Sequence, residues 1–297
     1  MFAMSKRVGL FLGVNLLILV TLSFTLNLLG VGAYFSARGI DYQSLMVFCL
    51  VWGMGGAFIS LALSRVMAKW MMGVVVIDPN TSDPALAGLV NTVYVLARAA
   101  GLPKMPEVGY YPSQEINAFA TGPSRRRALV AVSAGLLGSM DQEQLEGVLG
   151  HEMSHIANGD MVTMTLIQGI VNAFVMFLAR VIAFFIANRG RDGESSVAPR
   201  RLVIFLLEMA LSVLGMIVVS AFSRLREYRA DEGGARLAGR QKMIDALEGL
   251  RRTAAYADLT GKESMATLKI SGKKGFFSLF ATHPPLEERI ARLKAAV

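Results

Sequence analysis

The sequence predicts an α-helical membrane protein that carries a mostly helical α+β polar domain. Three observations lead there. First, 54% of the 297 residues are apolar and only 18% are charged, against about a quarter charged in ordinary soluble chains. Second, uncharged runs recur at Val8 to Ala37, Tyr42 to Ser64, Met161 to Ala179 and Leu202 to Ser223, the last interrupted by Glu208. Third, the intervening and following stretches carry strand-like and amphipathic helical patterns, enough for one polar domain with its own core. The net charge is +8. Its basic residues are dispersed and not interleaved with aromatics, which suits an anionic lipid surface and excludes nucleic acid as a partner. Cys49 is the single cysteine, so no intrachain disulfide forms.

The first apolar run follows Lys6 and Arg7 and so begins like a signal peptide. It is too long for the apolar region of one, and a second run follows at once. Despite the small residues Val31-Gly32-Ala33, the reading is an uncleaved anchor. Both runs exceed the ~20 residues that cross a bilayer. The short link Arg38-Gly39-Ile40-Asp41 makes residues 1–70 a transmembrane hairpin. Lys6 and Arg7 at one end and Arg65 and Lys69 at the other place both ends in the cytoplasm by the positive-inside rule, together with the polar domain that follows.

Residues 71–160 form the first part of that domain. Val74 to Ile77 reads as a short strand ended by Asp78-Pro79-Asn80. Asp83 caps a helix with Pro84 at its first position, running to Ala100 and stopped by Gly101. Glu107 to Tyr111, Ile116 to Ala120 and Ala128 to Ser133 are strands. Arg125-Arg126-Arg127 reads as a solvated turn, with a lipid or substrate contact as the other possibility. Asp141 then caps a helix whose first half is too polar for lipid.

Residues 161–223 read as a second apolar hairpin, embedded in the bilayer or lying partly outside it. Arg180 and Glu208 interrupt its two arms at similar depth. Either they pair with each other or each faces water. Residues 224–297 complete the polar domain, with an amphipathic helix at Arg240 to Ala257, a loop at Gly272-Lys273-Lys274-Gly275 and a last helix at Leu286 to Ala295.

The chemistry is carried by Gly150-His151-Glu152-Met153-Ser154-His155. On a helix, residues i and i+4 share a face. His151 and His155 can therefore hold one Zn²⁺, with Glu152 beside the metal, where the general base of a metalloprotease belongs. Such a site needs a third protein ligand. The chain has three histidines, so a three-histidine site would require His283. Asn158 and Met161 stand where a metzincin needs Gly and His. Glu227 and Asp231 are also i, i+4. One can ligate the metal and the other can hold a ligand imidazole by its second nitrogen. A metal transporter would carry its ligands inside the apolar runs, whereas His151, His155 and Glu227 all lie outside them. A structural zinc scaffold would want a closed shell of four.

GHEMSH followed by SRLREYRAD, with an apolar hairpin between, resembles the HtpX-type membrane zinc metalloproteases, bacterial relatives of the CAAX prenyl protease 1 group. INAFATG at Ile116 to Gly122 and THPPLEERI at Thr282 to Ile290 extend the resemblance over nearly the whole chain. It implies a zincin-like (gluzincin) catalytic domain that binds one Zn²⁺ through His151, His155 and Glu227. Glu152 is then the catalytic base, and Asp231 supports a ligand histidine. It also implies an endopeptidase of membrane quality control, at the cytoplasmic face of the bacterial inner membrane, cutting misfolded or damaged membrane proteins. An oxyanion stabiliser is needed besides the metal. His283 and Tyr228 are the candidates, His283 the better on the resemblance, and otherwise a loop residue before Pro284-Pro285. Asn117, Ala118 and Phe119 form a candidate substrate-pairing strand, with Phe119 equally suited to the core. His155 lies five residues before Asp160, where the third apolar run begins, and Glu227 four after Ser223. Both ligands therefore stand close along the chain to the membrane surface.

Overall fold

The computed structural model describes residues 35–36, 39–188, 197–260 and 276–295. The expected first apolar run lies almost wholly outside them, as do most of the loop after 188 and the Gly272–Gly275 loop.

A two-residue pairing of β1 (Phe35–Ser36) with β2 (Gly39–Ile40) leads into α1 (Tyr42–Met71). Asp41 starts that helix by accepting hydrogen bonds from the amides of Gln43 and Ser44. There follow β3 (Val75–Val76), α2 (Pro84–Ala99), β4 (Glu107–Tyr111), β5 (Ala118–Thr121), β6 (Leu129–Ser133) and α3 (Ala134–Ser139). The remaining helices are α4 (Gln142–Asn158), α5 (Asp160–Asn188), α6 (Val197–Ala238), α7 (Arg240–Thr260) and α8 (Leu286–Ala295), with a 3₁₀ turn at Phe276–Phe280. Asp83 caps α2 as its sequence predicts, accepting from the amides of Ala85 and Leu86.

Two elements differ from the expectation. The short helix α3 was not anticipated: two glycines in six residues leave no readable period. The apolar run at 202–223 and the SRLREYRAD segment form one uninterrupted helix, α6, of 42 residues. No proline or glycine stands at the junction, and Ser223 there stays within the helix, so the helix continues where its composition changes.

The chain divides into two compact units, residues 61–164 with 220–297 and residues 1–60 with 165–219. In the first, a four-stranded sheet has the order β3-β4-β6-β5, with β4 and β6 parallel and the other pairs antiparallel. β6 is buried along its whole length, as a central strand between two packed faces must be. β5 is the edge strand. One sheet face packs through Val108, Val130 and Val132 against Val93 of α2, Leu149 and Met153 of α4, and Ala246 of α7. On the other face Phe119 packs with Tyr111, Leu129 and Ala131. Arg65 and Lys69, from the end of α1, both reach Glu107 at 2.9 and 2.7 Å and so fasten that helix end to β4.

In the second unit Leu45, Cys49 and Ala173 form a small core with Phe48, Met176 and Phe177. α1 and α5 touch backbone to backbone at Gly53, where a Cβ would stand 2.5 Å from the amide nitrogen of Ala173. Small residues at such a crossing are the usual means of packing helices in lipid. Arg180 donates to Glu208 at 2.5 Å, and its guanidinium lies over the Phe48 ring, 5.2 Å from the centroid. Of the two alternatives for these residues, the structure has the pair. Three of the described helices are long and apolar enough to cross a membrane.

Candidate metal centre

The motif helix α4 is fixed at both ends by its own sequence. Asp141 accepts from the Gln144 amide at 2.8 Å, satisfying one of the free donors of the first turn. Gly159 closes the other end at φ +72°, a left-handed conformation that costs a residue with a Cβ more than it costs glycine. α5 therefore starts at once, with Asp160 as its first residue.

On this helix His151 and His155 stand one turn apart, ring centroids 4.6 Å from each other. Glu227 arrives from α6. Its approach depends on Gly233 and Gly234. A Cβ on Gly233 would fall 2.0 Å from the Ser154 hydroxyl oxygen, and one on Gly234 would fall 2.9 Å from the His151 amide nitrogen. The Glu227 carboxylate is fully buried. His155 Nε2 is 3.1 Å from His151 Nε2 and 3.3 Å from Glu227 Oε1. His151 Nε2 is 3.4 Å from Glu227 Oε2. Three ligand atoms about 2 Å from one tetrahedral ion stand roughly 3.3 Å from one another. The donor set therefore fits a small divalent ion in chemistry, with one ligand atom from each residue within 4.8 Å of the others, and these three residues would hold it.

Each imidazole is bound through its other nitrogen to a carboxylate. His151 Nδ1 lies 3.0 Å from Asp231 Oδ1, and His155 Nδ1 lies 2.6 Å from Asp160 Oδ2. Asp231 is gripped in turn by Arg289, whose Nε and Nη2 donate to its two oxygens at 2.8 and 2.6 Å. This is the bidentate geometry that suits arginine. Burial pulls the His151 pKa down, but the hydrogen bonds that its ring donates to Asp231 and Glu227 outweigh it and raise it to about 9.

Glu152 lines a cleft of about 150 Å³ together with Asn117, Ala118, His151, Glu227 and His283. The far wall of the cleft is apolar, with Leu136, Val148, Met243, Leu247 and Leu250. The edge strand β5 thus runs beside the metal ligands, with Asn117 and Ala118 at the cleft. Phe119 does not join them. It alternates to the opposite sheet face, its ring 5.6 Å from that of Tyr111, as a period of two requires.

His283 Nδ1 is 2.7 Å from Glu227 Oε2, and its half-exposed ring borders the cleft. Tyr228 is not part of the cleft. Its hydroxyl donates to Glu288 at 2.5 Å, and Arg292 lies over its ring at 4.6 Å. The structure therefore removes it as an oxyanion candidate.

Sequence reasoning missed Arg289 and Asp160. In α8 the stripe Leu286, Arg289, Ile290, Leu293 follows the i, i+3, i+4, i+7 rule of a buried face. An arginine inside that stripe was the available signal. For Asp160 it was a carboxylate placed straight after a glycine C-cap and five residues from a ligand histidine.

The description "Peptidase family M48" matches residues 87–297. The chain is 52% identical over 299 residues to a protein from Bacillus subtilis named "Protease HtpX homolog", covering 98% of this chain and 100% of that one. It is 50% identical over 296 residues to "Protease HtpX" of Shewanella halifaxensis, again 98% and 100%. Among solved structures, S. mikatae Ste24p shares the fold at a TM-score of 0.65 and 18% identity. That match covers 98% of this chain, which spans 65% of the Ste24p chain. A motif helix with two histidines, a glutamate delivered by a second helix and this likeness along the full chain agree: the chain belongs to peptidase family M48, as an HtpX-type membrane metalloprotease.

Proposed function

We propose that this metalloprotease binds one zinc ion through His151, His155 and Glu227 and is an endopeptidase of membrane protein quality control. It acts at the cytoplasmic face of the bacterial inner membrane on misfolded or damaged membrane proteins. The observation that carries the reading is the convergence of three ligand atoms, all within 4.8 Å of one another, beside Glu152 in a cleft bordered by an edge strand.

A zinc ion bound there supplies Lewis acidity, polarising the scissile carbonyl and acidifying the attacking water. Two histidines and a glutamate with an open fourth position are one of the ligand sets of catalytic zinc sites. The rest is work for the chain. Glu152 accepts the proton of the attacking water and returns it to the departing amine. β5 pairs with the backbone of an extended substrate, and Asn117 and Ala118 lie where that pairing meets the metal ligands. Backbone pairing requires an unfolded segment and is tolerant of sequence. The apolar wall of Leu136, Met243, Leu247 and Leu250 suits a large apolar side chain flanking the scissile bond, a type common in membrane proteins. His283, held by Glu227 through Nδ1, donates Nε2–H to a developing oxyanion when the ring carries both protons.

Orientation rests on Arg65 and Lys69 and on the positive-inside rule. On that basis residues 71–160 and 224–297 form the cytoplasmic catalytic domain, and residues 1–70 and 161–223 its two hairpins. The deciding comparison sets wild type against Glu152→Gln, both purified in detergent and loaded with zinc. The wild type degrades an unfolded test protein. The variant binds zinc equally well and cleaves at least 100-fold more slowly, the scale of a lost general base. Equal cleavage by both would end the assignment. A reporter fused after Val297 that is active only in the periplasm checks the orientation; activity there would reverse it.

A further inference from the structure

The structure assigns Asp160 as the residue that positions His155 and sets the affinity of the metal centre, while also being the first residue of the apolar helix α5. This rests on the metal-site reading above, and its test reads metal affinity rather than proteolysis.

Asp160 is buried, 8% exposed, and its Oδ2 lies 2.6 Å from His155 Nδ1. That is short for an N–H···O contact and in keeping with a charge-assisted bond. The bond fixes Nδ1 as the protonated nitrogen of His155. The lone pair of Nε2 is then directed at the point on which His151 Nε2 and the Glu227 carboxylate converge. A carboxylate on the far nitrogen also raises the basicity of the ligating one. The carboxylate reaches back because Gly159 turns the chain at φ +72°, folding the start of α5 under the last turn of α4.

An aspartate in the first turn of a helix is favoured for another reason, the helix dipole and the free amides of that turn. The hydrogen bonds speak against that as its main role. The amides of Val162 and Thr163 both donate to the Gly159 carbonyl, each at 3.1 Å, while the Asp160 carboxylate faces His155. The two histidines thus have one carboxylate each, delivered from different helices: Asp231 from α6 and Asp160 from α5. Asp231 is itself held by Arg289, whereas Asp160 is held by its place at the head of α5.

The test uses the full chain in detergent with Asp160→Asn and Asp160→Glu. Asparagine keeps the size and the helix-start preference but loses the charge, and glutamate keeps the charge. Zinc affinity is measured by competition with a chelator, and the cobalt-substituted protein is followed by its visible absorption. Asp160→Asn is expected to weaken zinc binding 10- to 100-fold, the range seen for such partners, and to shift the cobalt bands. Asp160→Glu is expected to bind closer to wild type than Asp160→Asn does. Zinc affinity of Asp160→Asn within twofold of wild type with unchanged cobalt bands overturns the assignment. So does equal weakening in both variants, which is what a purely structural role predicts. A wild-type protein that binds neither ion would instead sink the metal site itself.

Discussion

Two imidazoles bound through Nδ1 to two carboxylates make the residues around the metal a single electrostatic unit. Arg289 is its far end. It is 6% exposed and satisfies both oxygens of Asp231, so its removal takes two charge-assisted hydrogen bonds from a buried carboxylate and leaves it with His151. Arg289→Met is expected to lower stability by about 3–5 kcal/mol, the cost of breaking a buried pair from one side. Thermal unfolding of the metal-free protein checks this, and a loss under 1 kcal/mol would contradict it. The pH dependence follows from His151. Its folded pKa, raised to about 9, is above its unfolded value. The proton on the ring therefore stabilises the metal-free fold below about pH 6.5, and that contribution is lost as pH rises through 9. Metal must displace the same proton. Zinc affinity is expected to climb about tenfold per pH unit between roughly 7 and 9 and to level off above. Titrations with a chelator at several pH values would show a flat profile if the proton were not there. Glu152, the ligand pair and the Glu227–Asp231 pair were legible because chemistry and helix periodicity agree in their spacing. Arg289 and Asp160 were not. A charged residue in a short terminal helix, or at the head of an apolar one, has an ordinary explanation that only the fold removes.

At the level of elements, capping signals and periodicity placed most boundaries. Asp83 with Pro84, Asp141, and the strand Glu107–Tyr111 stand where their residues put them. β5 begins two residues later than its apolar pattern suggests. The amide of Asn117 is taken by the Ser133 hydroxyl, and regular ladder pairing starts only at Ala118. α6 runs unbroken past Ser223 because a change from apolar to charged composition is not a stop signal. Only Gly239, at φ +106° just past Ala238, ends that helix. The two apolar arms of α5 and α6 are joined by Arg180 and Glu208. Reversing either charge is expected to lower the unfolding temperature in detergent, and the double reversal Arg180→Glu with Glu208→Arg to recover most of the loss. Failure of the double variant to recover any of it would mean that the pair is not what holds the arms.

For the whole molecule, the centre is assembled from segments far apart in sequence: α4, the end of α6 and the loop before α8 each contribute a group. No one stretch of the chain is a protease. Among the described residues β5 is outermost on its side of the sheet, the position that the proposed pairing with a peptide backbone requires. The continuity of α6 has a mechanical consequence. Glu227 lies on the same continuous helix of 42 residues as the apolar stretch 202–223. His155 is likewise bonded to the first residue of α5. Helices whose apolar length differs from the thickness of the surrounding hydrocarbon tilt to match it. Backbone hydrogen bonds continuous along the helix offer a path by which such a tilt would be felt at Glu227. Proteolytic rate in vesicles is therefore expected to pass through a maximum as acyl chains lengthen from roughly 14 to 22 carbons. A rate indifferent to chain length would show that the helix does not pass the tilt on to Glu227; a peaked one would make lipid thickness a control on the enzyme.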